Sequence, residues 1–144
     1  MTFTKGDLTQ PGKHNVQTLP FATGTITKGN FYTLSAGNLV ALATDTTTAT
    51  GVFVALETRV FSAGVVTDCQ VAGPGSYVVV DAGGAIQPGG YVAVESGSAE
   101  VIVGTAADLA AGYVVGRYIK HAGETKATPA ADTETDCIIL LGAV

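Results

Sequence analysis

A strict alternation of residue types runs through the stretch Val65-Val66-Thr67-Asp68-Cys69-Gln70-Val71. In a β-strand, one face of this stretch would carry Val65, Thr67, Cys69 and Val71, and the other would carry Val66, Asp68 and Gln70. Successive side chains of a strand point to opposite faces, so a period of two residues predicts a strand. Its first face is predicted to be buried and its second to be wetter.

Similar extended runs occur along the rest of the chain, at residues 38–43, 51–57, 76–81, 91–95, 100–103, 113–120 and 137–141. Glycine-rich turns separate several of them, namely Gly73-Pro74-Gly75, Gly83-Gly84 and Pro88-Gly89-Gly90. Many short strands joined by tight turns predict an all-β domain of about ten strands, either sandwich-like or a β-barrel. The one predicted helix spans residues 105–111, with Thr105 as its cap and Gly112 as its end.

Two segments differ from this pattern. Residues 1–20 contain Pro11, Gly12 and Pro20 and show little alternation, which predicts a loosely attached N-terminal arm ahead of a β domain at residues 21–144. Residues 121–136 are small and polar, and we interpret them as a long surface loop before the last strand.

Charge is scarce in this chain and mostly negative. Only 13% of the residues are charged, and 12 acidic against 7 scattered basic residues give a net charge of −5. Scattered basic residues and an acidic balance argue against nucleic acid as a partner. No apolar run approaches the ~18 residues of a membrane helix, and the first residues lack the apolar core of a signal peptide. A charged share about half the usual ~25% favours self-association or docking onto a larger assembly.

Cys69 and Cys137 stand too far apart for a metal-ligand motif and are too few for a disulfide scaffold. We interpret them as buried, reduced thiols, with a disulfide between two strands as the alternative.

The sequence contains no motif of reactive groups, which predicts no catalytic, cofactor-binding or metal-binding residue and therefore no enzyme. The two histidines, His14 and His121, adjoin no serine motif, and we interpret Ser76 as a turn hydroxyl. Asp132, Glu134 and Asp136 alternate but lack the apolar neighbours that raise a carboxyl pKa, so we assign them to a solvated loop; a weak calcium or sugar contact is the alternative. Packing roles are predicted for the aromatic residues Phe53, Tyr77, Tyr91, Tyr113 and Tyr118.

The order of several motifs resembles a known family. They are Gly24-Thr25-Ile26-Thr27, Ala36-Gly37-Asn38-Leu39-Val40, Gly51-Val52-Phe53-Val54-Ala55-Leu56, Gly116-Arg117-Tyr118 and Ile138-Ile139-Leu140-Leu141-Gly142. With the polar arm before them, they resemble the capsid decoration, or cement, proteins of tailed double-stranded DNA bacteriophages. The resemblance implies a β-barrel or β-tulip type domain. It also implies a homotrimer at threefold and quasi-threefold sites of the virion surface, made in the host cytoplasm and bound to the major capsid protein, partly through the arm.

Two other function classes remain as alternatives. A carbohydrate-binding or adhesive β module of a fibre or cell surface would need an exposed aromatic cluster or an acidic cage for sugar. A small hydrolase would need a cleft that joins His14 or His121 to a nucleophile.

Overall fold

The computed structural model describes residues 5–8, 14–42, 51–84, 86, 89–95, 100–121 and 137–142. Their strands are β1 (Val16–Pro20), β2 (Thr25–Ile26), β3 (Phe31–Ser35), β4 (Asn38–Ala41), β5 (Phe53–Ala55), β6 (Arg59–Val60), β7 (Asp68–Ala72), β8 (Tyr77–Val80), β9 (Tyr91–Val94), β10 (Val101–Val103), β11 (Val114–His121) and β12 (Cys137–Leu141). One helix, α1 (Ala106–Ala111), lies between β10 and β11. The predicted all-β class is confirmed.

The strands form two five-stranded sheets and a small ribbon. The first sheet has the order β1-β7-β5-β3-β4, the second has the order β10-β9-β11-β12-β8, and β2 pairs with β6 in the ribbon. All of these pairs are antiparallel. The arrangement is sandwich-like, and the described strands form no closed barrel.

The second sheet nevertheless curls until its two edges meet at one point. Beyond β8 the chain reaches β10, where the amide of Val101 donates to the carbonyl of Asp81 at 2.9 Å and the amide of Gly83 donates to the carbonyl of Val101 at 2.8 Å. This contact is a single parallel bridge between Ala82 and Val101. The second sheet therefore curves around its apolar face, but no continuous ladder of hydrogen bonds joins its two edge strands, β8 and β10.

Two apolar cores lie on opposite faces of the first sheet. In β5, Val54 belongs to the core shared with the second sheet, whereas Phe53 and Ala55 belong to a second core. The shared core is built mainly from the second sheet and includes Tyr118 and Ile139, both fully buried. A strand with three consecutive buried residues is covered on both faces, since neighbouring side chains point in opposite directions.

The strand predictions hold for most of the extended runs but need correction at the first one quoted. The strand begins at Asp68 rather than Val65. Residues 62–66 form a tight turn in which the amides of Val65 and Val66 both donate to the carbonyl of Ser62, and Val65 is 79% exposed. The alternation is correct from Cys69 onward, where Cys69 and Val71 point into the second core.

The predicted helix is confirmed together with both of its ends. The hydroxyl of Thr105 accepts from the amide of Asp108 at 3.1 Å, and the Asp108 carboxylate accepts from the amide of Thr105 at 2.9 Å. This reciprocal pair is a capping box. Gly112 ends the helix with a φ of 80°, a left-handed conformation that glycine adopts without strain.

The described part of residues 1–20, predicted as a loosely attached arm, is hydrogen-bonded to both sheets. Strand β1 pairs with β7 along its whole length. Upstream, the amide of Gly6 donates to the carbonyl of Val79 at 2.7 Å, and the amide of Val79 donates to the carbonyl of Asp7 at 2.9 Å. Leu8 packs against the shared core. His121 ends β11, and the rest of the predicted loop, residues 122–136, lies outside the described residues.

We expect Gly116→Ala to destabilise the protein strongly. A Cβ atom at Gly116 would overlap the carbonyl oxygen of Leu140 on the paired strand, and the ladder prevents the backbone from moving aside. Overpacking of this kind costs about 1–3 kcal/mol, which chemical denaturation would measure. Gly84→Ala is the matched control, because nothing lies within 4 Å of a Cβ built there. Equal midpoints for the two variants would contradict the described contact between β11 and β12.

Deleting residues 1–20 should lower the melting temperature by about 10 °C or more, because it removes β1 and Leu8 and leaves one edge of β7 unpaired. Thermal unfolding followed by circular dichroism measures the effect. Val16→Thr is a mild control within the same segment, since Val16 is 46% exposed. An unchanged melting temperature after the deletion would mean that the segment is a dispensable arm after all.

Candidate docking surfaces

The residues weighed as catalytic groups do not assemble into a reactive cleft in the described part of the chain. Ser76 is fully buried, and its hydroxyl accepts from the amide of Asn15 at 2.9 Å. It therefore ties β1 to the turn before β8, as expected of a turn hydroxyl. His14 is half-buried beside this contact, and Asp132, Glu134 and Asp136 lie outside the described residues.

The described residues also hold no cluster of three or more histidine, cysteine or acidic residues arranged to bind a metal ion. Among them, no helix is long and apolar enough to cross a membrane. None of the aromatic side chains within the described ranges is exposed, and Phe53 and Tyr118 lie in the cores as predicted. Three surfaces of the described residues present exposed apolar side chains or an unpaired charge.

The first of these, which we call the hairpin surface, comprises residues 21–27 and 60–67. It contains no charged residue, and its outer side carries Val60, 62% exposed, and Val65, 79% exposed. These are the most exposed large apolar side chains of the described residues. The register explains why Val60 faces outward, because it lies opposite Thr25, whereas the next residue, Ile26, enters the second core. Val65 is exposed by the turn of residues 62–66.

An aromatic pair and backbone hydrogen bonds hold the backbone of the hairpin surface in place. The rings of Phe21 and Phe61 meet edge to face with centroids 6.0 Å apart, a favoured arrangement for aromatic pairs. The amide of Phe61 donates to the carbonyl of Gly24 at 2.8 Å, and the amide of Phe21 donates to the carbonyl of Thr67 at 2.9 Å. Apolar side chains at the tip are therefore presented on a fixed backbone, which lowers the entropy lost on binding.

A second apolar surface lies around α1. The helix has no buried residue, although five of its six residues are alanine or leucine. Leu109 is 41% exposed, and Val103 at the end of the neighbouring strand β10 is 50% exposed. A helix with this composition normally packs an apolar face against something, so this surface also resembles a site for contact with another protein.

A third surface, the outer row, crosses the convex face of the second sheet. Arg117 pairs in register with Tyr91 on one side and Leu140 on the other, and Leu140 pairs with Tyr77. The neighbours of these residues, such as Val92, enter the shared core, so the row itself points outward. Arg117 donates to the hydroxyl of Tyr91 at 2.9 Å, and its guanidinium carbon lies 4.6 Å from the centre of the Tyr91 ring.

Cys69 confirms the prediction of a buried thiol and forms no disulfide. Its Sγ lies 3.5 Å from the carbonyl oxygen of Glu57 and 3.4 Å from that of Gln70. Burial, with a smaller contribution from the negative charge of Glu57, raises the pKa of Cys69 from 9.0 to about 11. A thiol with a raised pKa is a poor nucleophile at neutral pH. The side chain of Cys137 lies outside the description.

Comparison of the chain with protein-family models, with curated proteins and with solved structures finds no match.

The raised pKa of Cys69 predicts a specific dependence of stability on pH. In the unfolded chain the thiol ionises near 9.0, whereas the native thiol keeps its proton up to about pH 11. The contribution of protonated Cys69 is therefore complete below pH 9 and is lost as the pH rises towards 11. We expect the stability difference between the wild type and Cys69→Ala to be constant from pH 6 to 8 and to shrink above pH 9, as measured by denaturant unfolding. Parallel curves up to pH 11 would contradict the assignment.

Proposed function

We propose that this protein is a capsid decoration (cement) protein. In this role it binds the outer surface of an icosahedral head as a homotrimer and stabilises the lattice of the major capsid protein. The proposal places it on the virion surface and gives it no catalytic activity. It rests on the resemblance in motif order and on the character of the described surface.

The single observation that carries the proposal is the uncharged hairpin surface with Val60 and Val65 at its tip. Contiguous exposed apolar area on a small protein marks a site of contact with another macromolecule. Because Val60 and Val65 are exposed on a hydrogen-bonded backbone, this surface suits a flat or shallow partner better than a small ligand, which needs a concave site. A capsid lattice offers such a partner in many identical copies.

The described aromatic residues favour this role over sugar binding. A carbohydrate site would present fully exposed aromatic rings to solvent, and every aromatic side chain in the described part of the chain is buried or half-buried. Tyr91, one of the two aromatic residues of the outer row, lies under the guanidinium of Arg117, so one face of its ring is already occupied.

A modest hairpin contact is sufficient for a cement protein. Three hairpin surfaces on one trimer would bind together, and linked contacts raise the overall affinity by about 10²–10⁴ without any new contact. Fixing three neighbouring shell subunits to one rigid body would then resist their separation, which is how decoration would stabilise the shell.

The hairpin surface can be tested with undecorated, expanded capsids of a phage that encodes this protein. Saturable, stoichiometric binding of the wild type is expected. The double variant Val60→Thr/Val65→Thr keeps the side-chain shape but replaces one methyl group with a hydroxyl at each site, so it should require at least about tenfold more protein for half-occupancy, since apolar burial is lost at each site. Sedimentation of the capsids with bound protein measures occupancy.

The matched control is Val40→Thr, which makes the same chemical change at a valine that is 40% exposed on β4, outside the hairpin surface. It should bind as the wild type does. Equal binding by all three proteins would show that docking uses another surface, and failure of the wild type to bind would contradict the proposed function itself.

A further inference from the structure

The described charges are almost completely paired within the molecule, and the exceptions are informative. Ion pairs join Lys5 to Asp81 at 3.7 Å, Lys28 to Asp7 at 2.9 Å and Arg59 to Glu57 at 3.3 Å. Of the cationic side chains that the structure describes, only Arg117 has no carboxylate partner. Both it and Asp68 are exposed.

Among the described acidic residues, Asp68 is the one whose carboxylate has no partner. The other described carboxylates have partners of their own: Asp7, Glu57 and Asp81 form the ion pairs, Asp108 caps α1, and Glu95 and Glu100 take part in further interactions. Within the described residues, the carboxylate of Asp68 forms neither an ion pair nor a hydrogen bond, and only its backbone carbonyl accepts from Arg59, at 3.4 Å. One exposed cation and one exposed anion thus remain without a counter-charge.

Arg117 is arranged to bind a carboxylate. Its guanidinium is fixed by the hydroxyl of Tyr91 and by the ring below it, so little side-chain entropy remains to be lost. One terminal N–H group is used by Tyr91, which leaves other N–H groups to form the paired hydrogen bonds that arginine makes to carboxylates. Leu140 and Tyr77, next in the row, supply apolar area beside the charge.

Asp68 forms no ion pair with Arg117 of the same copy, and the two residues belong to different sheets: Asp68 starts β7 in the first sheet, and Arg117 lies on the outer face of the second. Asp68 is also fixed, since it pairs with Pro20 while its neighbour Cys69 anchors the strand in the second core. The two unpaired charges therefore point away from the molecule at different places.

We propose that copies of this chain associate head to tail, with Arg117 of one copy bound to the carboxylate of Asp68 of the next. A contact between two different surfaces repeats around a ring and closes when the rotation allows it. Each copy carries a net charge of −5, so copies repel at long range, and a specific opposite-charge contact selects the orientation in which they meet. The inference deepens the proposed function, because it assigns a surface to the homotrimer on which that function rests.

Charge-reversal variants of Arg117 and Asp68 test the contact directly. Sedimentation velocity over a range of protein concentrations should show the wild type associating, and Arg117→Glu and Asp68→Lys should each raise the dissociation constant at least about tenfold, because each leaves two like charges facing each other. The combined variant Arg117→Glu/Asp68→Lys restores an opposite-charge pair and should associate more tightly than either single variant. Lys5→Gln, which alters a cation already paired with Asp81 within the molecule, is the matched control and should associate as the wild type does.

Three results would overturn the inference: a wild type that stays monomeric at every concentration, single variants that associate like the wild type, or a double variant no tighter than the single ones. Thermal unfolding of each variant shows whether it is folded. Misfolding of the single variants would not explain recovery of association by the double variant. Binding of the variants to undecorated capsids separates the two proposals. Head-to-tail association without capsid binding contradicts only the proposed function, whereas capsid binding without association contradicts only the Arg117–Asp68 contact.

Discussion

The burial of β5 on both faces is the constraint on which the rest of the fold depends. Val54 and Ala55 are completely buried, yet they point to opposite sides of the first sheet. Each face of the first sheet therefore needs its own apolar layer packed against it. The second sheet curls over one face, and the ribbon of β2 and β6 helps to cover the other with Ile26. The hairpin surface exists because this ribbon must present an apolar side inward and still needs an outer side.

Two ion pairs lie where the N-terminal segment crosses both sheets. Lys5 contacts Asp81 beyond β8 and also donates to the side-chain oxygen of Asn30 at 3.1 Å, while Asp7 meets Lys28. Partly exposed ion pairs contribute only about 0–1 kcal/mol each. The backbone hydrogen bonds to Val79 and the burial of Leu8 therefore hold this segment more firmly than its charges do.

Sequence patterns identified those elements whose cause is local. The helix was predictable because Thr105 and Gly112 act within a few residues of each other, and β7 was predictable from Cys69 onward because only one of its faces is strongly apolar. Strand β3 was missed since Phe31, Tyr32 and Thr33 are all buried, and burial on both faces removes the alternation. Strand β1 was missed because its apolar Val16 points outward and its order comes from pairing with a distant strand.

The same reasoning limits what the sequence revealed about binding. Arg117 and Tyr91 are 26 residues apart, and only the pairing of β9 with β11 places one over the other. Val65 was assigned to a buried strand face, whereas a turn of the chain at Ser62 exposes it. Surfaces made by strand register and by turns depend on the whole fold. Composition therefore predicted that the protein associates with other macromolecules, but it could not predict which residues form the contact surface.

Hydrogen–deuterium exchange of the protein, free and bound to undecorated capsids, tests most directly whether the hairpin surface is the part that meets the shell. Binding should slow exchange most at residues 62–66, a turn at the surface whose amide hydrogen bonds in the free protein are made within the turn itself, while the amides of β9 and β12, already protected in the sheet, should change little. Slowing confined to α1 and β10, with the hairpin unchanged, would contradict this assignment and transfer the docking role to the helix.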